Sequence, residues 1–128
     1  MRLILTLCLL GCGTLTLGQE IAARARQMEE KGQAGAARSL LLAATKEAPN
    51  DVVTLTVAAE FLDRHGDPAA RPAYEKLLTL LEKSESRETG RYARRLVALD
   101  LLAGDPEPRP RRLRIACAAR RAVAACVR

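Results

Sequence analysis

The sequence predicts an all-α protein, built as a short α-solenoid of antiparallel helical hairpins. Three observations carry that prediction. Apolar residues recur at i, i+3, i+4 spacing along most of the chain after residue 18. Turn glycines fall at Gly32, Gly66 and Gly104, so that 34 and 38 residues separate them, and a period near 34 with two helices per unit marks a helical repeat. Strict alternation with β-branched residues is confined to Val52 to Val57, and helical signals flank that stretch on both sides.

The elements follow in order. A helix precedes Gly32, and a second carries the stripe Ala37, Leu40, Leu41, Ala44 and Ala48. Pro49-Asn50-Asp51 ends it and offers Asp51 as the N-cap of a third helix, striped by Val52, Leu55, Ala58, Ala59 and Leu62. Gly66-Asp67-Pro68 supplies a C-terminal stop, a cap and a proline at the first helical position. The fourth helix carries Ala70, Ala73, Leu77, Leu80 and Leu81. Ser84 or Ser86 caps a fifth, which holds Tyr92, Ala93, Leu96, Val97, Leu99 and Ala103 before Gly104-Asp105-Pro106 repeats the stop.

The ends of the chain have a different character. Met1-Arg2 followed by the uncharged run Leu3 to Leu17 reads as an export signal of residues 1–18, too short to span a bilayer. Thr16-Leu17-Gly18 suits signal peptidase I. Leu9-Leu10-Gly11-Cys12 instead matches a bacterial lipobox, in which the signal ends at residue 11 and Cys12 is lipidated. Both routes give an exported protein, whether periplasmic, secreted or membrane-anchored. At the other end, residues 106–128 form a Pro/Arg-rich basic tail, with two readings: a terminal helix, whose apolar face holds Ile115, Ala119, Ala122 and Cys126, or a disordered segment.

Charge is divided just as sharply. The 128-residue chain has a formal net charge of +6, yet residues 19–105 hold 13 Lys or Arg against 14 Asp or Glu. The tail holds seven Arg against Glu107 alone, so the high isoelectric point belongs to the tail. With only Phe61, Tyr74 and Tyr92 as aromatics, base-stacking platforms are absent, which argues against nucleic acid as a partner.

Over residues 19–105 the chain resembles the tetratricopeptide repeat family, whose units are helical hairpins. Ile21, Arg24, Ala25 and Met28 stand at that family's first-helix spacing, and Ala37, Leu41, Ala44 and Pro49 at its second-helix spacing. Leu55, Ala58, Ala59 and Leu62 repeat the first helix, with Ala73, Leu77 and Leu80 two residues late in the second. Ala93, Leu96, Val97 and Asp100 begin a third unit. The family's Trp and Tyr are missing, Arg24 replaces a leucine, and Asp100 replaces an aromatic. Small residues at Ala25, Ala37, Ala44 and Ala59 allow helices to approach at the close end of the ~8–10 Å range. Two hairpins and a lone helix are a short array, which the tail, a partner or a further stretch of a longer chain would complete.

Catalytic signatures do not emerge. His65, the single histidine, precedes a turn glycine at a helix C-terminus, where an imidazolium complements the dipole. Cys117 and Cys126 lack metal-ligand neighbours, and if they share one helix, ~13.5 Å of rise separates them. No cofactor or metal is expected. The function expected is therefore non-enzymatic: a scaffold or adaptor for a peptide or protein partner. The family resemblance places first helices along the concave face, which implies Arg26, Glu29, Glu60, Asp63, Arg64, Arg91 and Arg94 as partner-contacting residues. The alternatives are an envelope lipoprotein scaffold held to the membrane through Cys12, and a basic-tail binder of anionic lipid or nucleic acid.

Overall fold

A computed structural model of the protein describes residues 17–104 and 113–118. The expected signal apart from Leu17 and Gly18, the lipidation candidate Cys12, and the tail outside 113–118 lie beyond the described residues. Five helices follow one another: α1 (Leu17–Glu30), α2 (Ala34–Glu47), α3 (Val52–Arg64), α4 (Ala70–Lys83) and α5 (Thr89–Leu102). A sixth helical segment covers residues 113–118. The described residues contain no strand, and the fold is all-α.

Each helix packs on the next in sequence, and α1 also packs on α3. This arrangement is compatible with a helical repeat. The turns explain the regularity. Gly32, Gly66 and Gly104 all have left-handed backbone, with φ of 72°, 63° and 74°. After α1 and α3 an amide just past the turn glycine reaches back to a carbonyl of the helix's last turn: Gln33 to Met28 at 2.8 Å, and Asp67 to Leu62 at 2.8 Å. The turn after α4 uses the same device, Ser86 to Leu81 at 3.0 Å, but Glu85 rather than glycine takes the left-handed position, at φ 51°.

Caps were partly legible. Asp51 caps α3, accepting from the Thr54 amide at 2.9 Å and from its hydroxyl. At the other two junctions the expected caps shape a turn and the helix opens later. Asp67 Oδ1 accepts from the Ala69 amide at 2.8 Å, and α4 starts at Ala70, so Pro68 stands in the turn rather than at the first helical position. Ser86 Oγ accepts from the Glu88 amide, and α5 starts at Thr89.

The core forms two adjoining clusters. Ala25, Ala37, Leu41, Ala58, Phe61, Leu62 and Ala70 make one. Leu55, Ala59, Tyr74, Leu77, Leu78, Leu81, Tyr92, Ala93 and Leu96 make the other, against which Ile115 and Ala116 of the sixth segment pack. The four alanines expected to sit in helix seams are all buried. Asp100, which stands where an apolar residue would be ordinary, is fully buried and ion-paired to Arg71 of α4 at 2.5 Å.

Candidate functional site

The sequence-derived candidates converge on one face. Glu60 and Asp63 lie one turn apart on α3, so their carboxylates point the same way. Together with Arg64 of α3 and Arg91 and Arg94 of α5, they line an open depression of about 550 Å³. Arg26 and Glu29 of α1 line a smaller hollow of about 70 Å³ that shares Glu60 and Arg64 with the first. All seven candidates therefore border two adjoining hollows across α1, α3 and α5.

A repeated ion-pair device links α1, α3 and α5, joining an acid on one to an arginine on the next. Arg64 Nη2 donates to Glu29 Oε2 at 3.0 Å. Arg91 Nη2 donates to Glu60 Oε1 at 3.1 Å, and Arg95 grips Asp63 through Nε and Nη2 at 2.5 and 2.6 Å. In each case the acid comes from the earlier helix. Their separations of 35, 31 and 32 residues echo the repeat period.

Two tyrosines floor the larger depression, their rings 5.7 Å apart. Tyr74 donates to Asp63 at 3.1 Å and Tyr92 to Glu60 at 3.2 Å. Hydrogen bonds from Arg95 hold the Asp63 carboxyl below the usual carboxylate range. His65 and then Arg64 do the same for Glu29, whose Oε1 lies 2.9 Å from His65 Nε2. Burial pushes both phenols up, and the nearby Asp63 and Glu60 charges add to it. The Arg91 guanidinium also sits 5.2 Å over the Tyr92 ring.

The electrostatic result is asymmetric. The acids of this face are already engaged by arginines, whereas Arg26 and Arg94 pair with no carboxylate among the described residues. The face thus offers cationic donors around an aromatic floor.

Sequence reasoning overlooked Tyr74, Tyr92 and Arg95. The 32-residue spacing from Asp63 to Arg95 was available as a signal, because it nearly matches the Glu60 to Arg91 interval. Tyr74 gave none, since it reaches the depression from α4, a second helix. His65 is the C-terminal cap of α3, and its ring rests on Phe61 at 4.5 Å. Cys117 is exposed and free. No family model, curated protein or solved structure matches this chain.

Proposed function

We propose that the protein is an exported, tetratricopeptide-like interaction module without catalytic activity of its own, which seats a charged peptide or loop of a partner protein. The observation that carries this reading is the convergence of all seven candidate side chains on one face of α1, α3 and α5. The cations left without carboxylates among the described residues favour an acidic segment. An array of extended peptides provides the test. Acidic peptides are expected to bind in a salt-dependent manner. The double reversal Arg91→Glu with Arg94→Glu should weaken that binding about fivefold, at ~1 kcal/mol for the two exposed charges together. Unchanged affinity and salt dependence would defeat the reading.

The envelope-lipoprotein reading gains support from one observation. Gly18 is buried in the first turn of α1, where an added Cβ would meet Asp51 Oδ2 at 2.7 Å and Val53 at 2.9 Å. Cleavage after Gly18 would strip this packed residue from the mature chain, whereas processing at Cys12 keeps it. Globomycin should then leave the precursor uncleaved, and Cys12→Ser should lose lipid label. A mature N-terminus at Gln19 would exclude this route.

A further inference from the structure

On the side of α3 turned away from the charged face lies a second cleft, of about 450 Å³, between α2 and α4. Its floor is Leu55, Ala58 and Leu62, all buried core residues of α3. Leu42 on one wall, and Pro72 and Ala73 on the other, keep the sides apolar. Thr45 also lines it, but its hydroxyl is spent on the Leu42 carbonyl at 2.9 Å.

Among the described residues, the charges lining the cleft are two exposed lysines, Lys46 and Lys76, and neither pairs with a described carboxylate. Their placement is directional. Arg38, early in α2, pairs with Asp67, beyond the end of α3, so α2 and α3 run antiparallel. Leu55 clusters with Leu77 whereas Leu62 clusters with Ala70, so α3 and α4 also run antiparallel. Lys46 and Lys76 therefore flank the same end, beside Leu55, whereas at the Leu62 end Arg38 and Asp67 neutralise each other outside the lining.

Charge and volume together select the occupant. The lining runs from Leu42 to Pro49 on one wall and from Ala69 to Lys76 on the other. Two cations at one end of an otherwise apolar lining match an anionic head on an apolar tail. Clefts of ~300–1,000 Å³ with apolar walls and a few polar groups are the usual form of small-molecule sites.

The geometry points to a binding site for a single-chain aliphatic carboxylate of medium length. The chain lies between Leu42 on one wall and Pro72 and Ala73 on the other, and its anionic head sits toward Lys46 and Lys76. This site is independent of the charged face, because opposite sides of α3 form the two.

Calorimetric titration of the full chain with decanoate, below its micelle concentration, tests the proposal. One saturable site is expected. Lys46→Glu with Lys76→Glu should weaken it tenfold or more, and the same variant should bind decyltrimethylammonium better than the wild type does. Ala73→Phe should fill the cleft and abolish uptake. Circular dichroism checks that each variant stays helical, and the exposed lysine pair still decides the matter if Ala73→Phe misfolds. Absence of saturable binding overturns the proposal. So does equal binding of both amphiphiles that ignores the lysine reversal, which would be apolar adsorption. Lysine-dependent binding of a Leu/Glu amphipathic helical peptide, with none of decanoate, also overturns it in favour of a partner helix.

Discussion

The α1–α3 seam and the α3–α5 seam are built from the same kind of helix at nearly the same spacing, yet one is closed and the other open. At the first, Ala22 and Ala25 of α1 face α3 directly, and only about 70 Å³ remains between the helices. At the second, α3 and α5 meet through long side chains, with Tyr74 and Tyr92 spacing them around about 550 Å³. The width of the groove thus follows from residue size at the seam. Alanine permits close backbone approach, while tyrosine and arginine–carboxylate bridges hold a gap. The open seam is where a partner has room, and it is also where the array has the least direct packing.

The largest effect is therefore expected where α5 is tied down by other means. Its buried Asp100 pairs with Arg71 of α4, whose side chain is 35% exposed. Arg71→Met should cost about 3–5 kcal/mol, because it leaves a carboxylate buried without its cation. Asp100→Leu should cost less, since the stranded arginine can reach water, and the double variant should recover most of the loss. Urea unfolding followed by circular dichroism measures this. Both tyrosines sit at the open seam, so tyrosine fluorescence should report loosening there before overall helicity falls. Coincident transitions would mean that the two seams unfold as one unit.

Overpacking offers an intermediate test of the same contrast. Ala25→Leu inserts volume into the closed seam and should cost about 1–3 kcal/mol. Ala98→Leu, which borders the open depression, should change stability by no more than about 0.5 kcal/mol. Equal costs at both positions would refute the claim that seam width differs.

How much of this was visible in the sequence depended on whether a feature leaves a local mark. Glycine turns at Gly32, Gly66 and Gly104 were plain because left-handed backbone favours glycine. The turn at Glu85 adopts the same conformation without glycine and so passed unnoticed. Asp51 was legible as a cap, whereas Asp67 and Ser86 bond only two residues ahead and displace the helix start. The seven charged candidates followed from first-helix faces. The tyrosine floor did not, because Tyr74 comes from α4 and reaches Asp63 on α3. Asp100 looked like a flaw in an apolar stripe. Its partner Arg71 lies 29 positions earlier, and nothing local announces the pair.

The smallest effect concerns the carboxylates that bridge both seams, and pH separates it from packing. Glu29 and Asp63 are held below their ordinary values by hydrogen bonds from His65 and Arg95 respectively. A carboxyl depressed in the folded state contributes stability that is fully present above its unfolded value, near pH 4, and fades as pH falls through the folded value. Asp63→Asn should accordingly lower stability by about 1 kcal/mol at pH 7, a melting shift of ~4–8 °C for a domain this size. The gap between wild type and variant should narrow as pH falls below about 4 and close once the wild-type carboxyl is itself protonated. A gap that does not narrow at all as the solution is acidified would show that Asp63 acts through shape and hydrogen bonding to Tyr74, and that charge does not hold the open seam.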